Sequence, residues 1–248
     1  MSRWAVPFLG VLAGTCMADT NINSTALVEA ARSLSMPPAL LPTAASLMST
    51  CLAVSVVSVG LLADRMGRRR LLVLAMIVGI VAEVMTAVSP AGGVFLAGRA
   101  LTGVAIGGVF SAAFATVRDV AAPGRQGAAM GVFSAANGIT LLVVSLVGGG
   151  MATVDWRLAY LVVPVTFGLC LVVVPRLVPP VPRIGGGRVD VLGQVLLAIA
   201  VVAPLVGLGQ ASRSLTSPTV WGPVLLGLVA FAAFYSVERA RRNAFYPV

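Results

Sequence analysis

The sequence predicts an all-α polytopic membrane protein, and three observations carry that prediction. Of 248 residues, 58% are hydrophobic and 10% are charged, with a mean hydropathy of +1.01, whereas a soluble domain carries about 25% charged residues. The apolar residues fall in long runs rather than in alternating or amphipathic patterns, and a run of about 20 spans a bilayer as a helix. Lipid offers the backbone no hydrogen-bond partner, so each run must close its own bonds as a helix. Finally, the arginines cluster in alternate connecting segments, as the loops of a multi-span protein do.

Eight spans follow in order. The first, 5–27, begins just after Arg3 and is interrupted only by a polar patch from Thr15 to Ser24. Pro37–Pro38 separates it from the second, 39–62, and a basic turn separates that from the third, 70–89. Pro90–Gly93 precedes the fourth, 93–117, and Pro123–Gly124 precedes the fifth, 127–150. The sixth, 157–175, opens on Trp156-Arg157 and closes on Pro175; the seventh and eighth occupy 190–209 and 219–237. Proline and glycine mark breaks where a helix would end in any case. None of the breaks is long enough for a soluble domain. The expected organisation is a six-helix transmembrane bundle over 1–175, a linker over 176–189, a pair of additional transmembrane helices over 190–237 and a tail over 238–248.

Net charge is +9, and all seventeen basic residues are arginine; there is no histidine. With the N-terminus inside, thirteen arginines lie in cytoplasmic segments, only Arg32, Arg157 and Arg213 lie opposite, and Arg99 lies within a span. This positive-inside bias sets the expected orientation. It assigns the charge to a lipid bilayer and excludes nucleic acid as its partner. Arg3 and the run to Cys16 imitate a secretory signal and a lipoprotein box, but Thr15 stands before the cysteine where a smaller residue is expected. Cys16, Cys51 and Cys170 sit singly in apolar spans, without disulfide or metal spacing. An enzyme would need a constellation of nucleophile, base or metal ligands, and the acids here are scattered singly.

Between the second and third spans runs Gly60-Leu61-Leu62-Ala63-Asp64-Arg65-Met66-Gly67-Arg68-Arg69-Arg70. Gly60 permits close helix approach and Gly67 a tight turn. Asp64, at a helix C-terminus, opposes the local dipole and needs a cationic partner or a facing helix N-terminus, with Arg68 as one candidate. A merely basic loop would need the arginines but neither the acid nor the glycines at these spacings. The string G-x-x-x-D-R-x-G-R-R resembles the second-loop signature of the major facilitator superfamily in full. The resemblance implies a latch between two six-helix bundles, made here by Gly60, Asp64, Arg65, Gly67, Arg68 and Arg69, which holds one state of an alternating-access carrier.

Further motifs extend the resemblance towards the fourteen-span multidrug:proton antiporters. Asp19-Thr20-x-x-Asn23 is similar to their acid-bearing first helix. Arg99-x-x-x-Gly103-x-x-x-Gly107 is similar to their fourth-helix arginine motif, with Thr102 where a glutamine is frequent. Trp156-Arg157-x-x-Tyr160 resembles a W-R-x-x-F element, and Asp190-Val191-Leu192-Gly193 with the E-R-x-x-R-N tail resembles the pair of helices inserted in that branch. One motif departs: Val144 and Ser145 occupy the fifth-helix Gly-Pro position, so the kink-forming proline is missing and that helix should be straighter.

Three charges fall inside spans: Asp19, Glu83 and Arg99. A charge at mid-bilayer costs about 2.5–3.5 kcal/mol even on insertion scales, so each must face a cavity or a partner. The first helix carries Asn23 one turn beyond Asp19, so this half cannot face lipid. Asp19, Asn23, Glu83 and Arg99 are therefore the candidate substrate- and proton-binding residues. A carboxyl held between burial, which disfavours its charge, and a cation, which favours it, can exchange a proton. One reading makes Asp19 the coupling acid, tuned by Arg99; the other makes the pair a static ion pair that fixes packing. Glu83 is a second proton site or a packing partner. Small residues mark close helix crossings at Gly103 and Gly107, and at Gly127, Gly131 and Gly138.

The resemblance implies a transporter for a small-molecule substrate in a bacterial inner membrane, N-terminus cytoplasmic, driven by the proton gradient without bound cofactor or metal. It also implies that the chain supplies the first eight of fourteen helices. The absent bundle is expected from elsewhere: the chain is a fragment, a truncated or degenerate half-transporter without autonomous transport, or one half of a two-chain carrier.

Overall fold

A computed structural model describes residues 4–122, 124–178, 191–209 and 218–245, without the side chains of 57–65 and of a few residues in the last two helices. The helices are α1 (Ala5–Ser33), α2 (Leu41–Met66, entered through a 3₁₀ turn at Pro38–Leu40), α3 (Arg68–Ala87), α4 (Gly92–Val120), α5 (Gln126–Ala152), α6 (Trp156–Leu177), α7 (Val191–Gly209) and α8 (Pro218–Phe245). No strand occurs among the described residues. Among the described residues seven helices are long and apolar enough to cross a membrane; in α7 the apolar stretch found is the shorter Val195–Pro204. The chain divides into two compact units, Met1–Gly185 and Gly186–Val248.

Helices overrun the apolar runs that predict them. α1 continues to Ser33 through Glu29 and Arg32, α4 to Val120 through Arg118 and Asp119, and α8 to Phe245 rather than stopping at 237. Hydropathy marks where lipid begins, but backbone hydrogen bonding continues into the polar interface until a turn residue stops it. α6 likewise runs through Pro175 to Leu177. α5, without the family's proline, is one uninterrupted helix of 27 residues.

In the first unit α1 and α4 are central. Their apolar stretches are 67% and 61% buried, against 17% for the corresponding part of α2 and 11% for α5. α1 packs on α5 and α6, α4 packs on α2 and α3, and α1 meets α4 as α3 meets α6. Exchanging α1, α2, α3 for α4, α5, α6 leaves this set of pairings unchanged, which is the pattern of an internal 3 + 3 repeat.

Both halves of the repeat use the same packing device. On α1, a Cβ at Gly10 would stand 2.5 Å from the Phe133 carbonyl oxygen and one at Gly14 2.5 Å from that of Asn137, so only glycine lets α5 approach so closely. On α4, Gly103 and Gly107 lie in the same way against Met48, Cys51, Leu52 and Ser55 of α2. The stripe expected on α5 behaves differently: at Gly127, Gly131 and Gly138 a Cβ would meet nothing within 4 Å among the described residues. The close glycines of the α1–α5 crossing are instead Gly10 and Gly14 of α1, set against Phe133, Ala136 and Asn137, and Gly148 of α5, set against Ile22.

The ends of the helices alternate. Arg68, at the start of α3, pairs with Asp119 at the end of α4, and Arg157, at the start of α6, donates to the carbonyls of Ala87 (2.8 Å), the last residue of α3, and Ser89 (3.1 Å), just beyond it. The α2–α3 turn therefore shares one end of the bundle with the end of α4, and the α3–α4 turn shares the other with the start of α6. Outward faces are apolar: Leu142, Leu146, Leu169 and Val172 are 65–75% exposed, as lipid contact demands.

In the second unit α7 and α8 pack as a hairpin. The ring of Pro204 nests against Gly227, and Gly207 lies against the Val220 carbonyl.

Candidate functional site

Three helices deliver charge to one point inside the first unit. On α1, Thr15, Asp19 and Asn23 follow at intervals of four, so they share one face, and all three are buried. Thr20, Asn21 and Ser24, on the other side of the same polar patch, are exposed, with the Asn21 amide donating to the Ser145 hydroxyl on α5 (3.1 Å). α3 supplies Glu83, and α4 supplies Arg99 with Thr102 three residues on.

Arg99 is the hub. Its Nη2 donates to Asp19 Oδ2 at 2.6 Å, and its Nη1 to Asp19 Oδ1 at 3.1 Å and to Glu83 Oε1 at 3.0 Å. All three side chains have 0% exposure. The Asp19 contact is the two-pronged arrangement that a planar guanidinium forms with a carboxylate; Glu83 receives a single bond. Three buried atoms make no hydrogen bond among the described residues: Glu83 Oε2, Arg99 Nε and Thr102 Oγ1.

α6 closes the site from the side. The Tyr160 hydroxyl donates to Asn23 Oδ1 at 2.8 Å, and the Arg99 guanidinium lies 5.3 Å from the centre of the Tyr160 ring, within cation–π range. Tyr160 packs edge-on against Phe95 (5.6 Å) and Trp156 (6.2 Å). The Asn23, Arg99 and Asp19 side chains are thus fixed by groups from α1, α4 and α6 together. Where the related motif has phenylalanine, this chain has Tyr160, whose hydroxyl supplies the Asn23 partner.

The four candidate site residues therefore lie together, with Glu83 and Asp19 both on Arg99 and Asn23 joined through Tyr160. Sequence reasoning named Tyr160 and Thr102 as parts of motifs but gave neither a place in the site. A hydroxyl where the motif carries Phe was the available signal for Tyr160.

The second-loop motif sits apart from this cluster. Gly67 adopts φ +89°, a left-handed conformation that favours glycine, and α3 starts at the next residue. The Arg68 Nη1 donates to the Ala115 carbonyl at 2.8 Å and to Asp119 Oδ2. Arg69 is half-buried. The side chains of Asp64 and Arg65, and what surrounds Gly60, lie outside the described residues, as does any contact of Asp64 with Arg68. Asp119 was not anticipated; it is one of only eight acids in the chain and lies at an arginine-rich helix end.

The fold and the sequence both have relatives. A crystal structure of the POT family transporter PepTSo superposes with a TM-score of 0.66 at 15% identity, covering 100% of this chain and 55% of that one, a likeness of fold. The uncharacterized MFS-type transporter YfiU of Bacillus subtilis is 26% identical over 250 residues, 96% of this chain and 47% of its own length. The puromycin resistance protein pur8 of Streptomyces alboniger is 31% identical over 193 residues, 76% of this chain and 38% of its own. The chain thus spans about half or less of the length of these curated relatives. The family model described as Major Facilitator Superfamily matches residues 9–246, and with nearly every helix inside that match the chain is a multi-pass membrane protein of the major facilitator superfamily.

Proposed function

We propose that this chain serves a proton-coupled exporter of drugs or other small organic molecules that works by alternating access and belongs to the fourteen-span antiporter branch. The observation that carries the reading is the buried Asp19–Arg99–Glu83 cluster. A packing role alone is served by one acid on one arginine; a second acid leaves the cluster one negative charge in excess, which binding of a proton or a cationic substrate removes. Solvent-free ionisable groups inside membrane spans mark proton and substrate pathways. The name of the pur8 relative, a puromycin resistance protein, supports a drug-like substrate.

In this reading the exposed polar face of α1 lines the cavity, and the opposing wall is a second helical bundle, supplied by the same polypeptide or by a second chain. The Gly60–Arg69 motif is the latch that the second bundle engages. The membrane is a bacterial plasma membrane, with the N-terminus and the arginine-rich ends cytoplasmic. The proton gradient is the energy source, with no bound cofactor.

The test is accumulation of puromycin in everted membrane vesicles carrying the 248-residue chain together with the bundle that supplies the opposing wall. Accumulation should collapse on adding a protonophore and be lost in Asp19→Asn. Accumulation no higher than in control vesicles, or unaffected by the protonophore, would contradict the proposal.

A further inference from the structure

We infer that Glu83, rather than Asp19, holds the proton of the buried cluster, while Asp19 stays ionised as the standing counter-ion of Arg99. The inference rests on the proton-coupled reading for the proton's purpose and on geometry for its place. Two carboxylates and one guanidinium, each with 0% exposure, carry a net charge of about −1 in an interior where an uncompensated charge is driven to neutralise. One proton brings the cluster to neutrality, and the hydrogen bonds decide which acid receives it.

Both oxygens of Asp19 already accept N–H bonds from Arg99. A proton on either would set an O–H against a guanidinium N–H and break the two-pronged contact. Glu83 uses only Oε1, and Oε2 is buried with no hydrogen bond among the described residues. A proton on Oε2 leaves all three Arg99 bonds intact. The buried Thr102 hydroxyl stands within hydrogen-bonding reach of the Glu83 carboxyl, and its oxygen can accept the new O–H. The step balances simply: hydronium gives its proton to Oε2, the carboxylate loses its charge, and water is left; release reverses this on the opposite side.

Other titratable groups do not take the role. Tyr160, from α6, gives its hydroxyl hydrogen to Asn23. Cys16, on α1 one turn before Asp19, and Cys170 on α6 are thiols buried in apolar surroundings.

Infrared spectroscopy of the whole chain in lipid nanodiscs tests this. The chain has three glutamates, Glu29, Glu83 and Glu238, and five aspartates, so ¹³C-carboxyl labelling of one acid type separates them. At neutral pH the folded chain should show the carbonyl stretch of a protonated carboxyl. That band should move to lower wavenumber with labelled glutamate, stay unmoved with labelled aspartate, and persist when Glu29 and Glu238 are both changed to Gln. It should vanish in Glu83→Gln with helicity unchanged. A band that moves with labelled aspartate, or no protonated-carboxyl band in the folded chain, overturns the inference; the labelling arms use the native sequence and do not depend on the variant folding. The two proposals fail separately. Protonophore-insensitive flux with a glutamate-borne band removes the coupling reading and supports the place of the proton, whereas coupled flux with an aspartate-borne band overturns only the latter.

Discussion

Arg99 bears the most demanding condition in the molecule, because it is fully buried and two carboxylates depend on it. Removing one member of a buried ionic group leaves the others uncompensated, which costs about 3–5 kcal/mol. Arg99→Ala should therefore lower thermal stability in detergent by that order. Arg99→Lys keeps the charge but lacks the planar fork that holds Asp19 at two points, so it should retain part of the stability and lose the fixed Asp19 geometry. A melting series on the two variants checks this, and an Arg99→Ala protein as stable as the parent would remove the cluster from the fold's energetics. The charges themselves were legible in the sequence, since an ionisable residue inside an apolar span always needs an explanation. Their convergence was not. Asp19 and Glu83 lie 80 and 16 residues from Arg99, and Tyr160 lies 137 from Asn23, and which faces meet depends on how each helix is rotated about its axis, which a run of apolar residues does not encode.

Elements show the same division between what periodicity reveals and what packing decides. The order and approximate position of the helices follow from apolar runs and Pro/Gly breaks, whereas their ends do not, because α1, α4 and α8 carry polar residues in full helical hydrogen bonding beyond the lipid-compatible stretch. Glycine spacing was legible but not its use. Gly103 and Gly107 face α2, yet a Cβ on the α5 stripe at Gly127, Gly131 or Gly138 meets nothing within 4 Å among the described residues, and the equivalent crossing of α1 and α5 uses Gly10, Gly14 and Gly148. A valine at Gly14 must displace the Asn137 carbonyl and Thr140, since even its Cβ would lie 2.5 Å from that oxygen; overpacking of this kind costs about 1–3 kcal/mol or more. At Gly131 an added Cβ meets nothing within 4 Å among the described residues, so Gly131→Val should cost only a fraction of that in the isolated chain. Paired melting curves of the two variants give the comparison, and equal losses would show that the α1–α5 crossing is not the close contact described.

At the scale of the whole molecule, the arginine asymmetry and the fold constrain one another. The alternation of helix ends places the turn at Gly67 and the end of α4 on one face, joined by Arg68 and Asp119, and the turn before α4 and the start of α6 on the other, joined by Arg157. The first face gathers Arg65, Arg68, Arg69, Arg70, Arg118 and Arg125, while the second has Arg32 and Arg157. Translocating a cluster of arginines is unfavourable, so the richer face should be retained in the cytoplasm. Single cysteines in a background with Cys16, Cys51 and Cys170 replaced test this. In intact cells a membrane-impermeant maleimide should label a cysteine at Pro90, between α3 and α4, and should reach one at Gly124, between α4 and α5, only after permeabilisation. The reverse pattern would turn the bundle over, and would move the Gly60–Arg69 motif to the face opposite the one its proposed latch role requires.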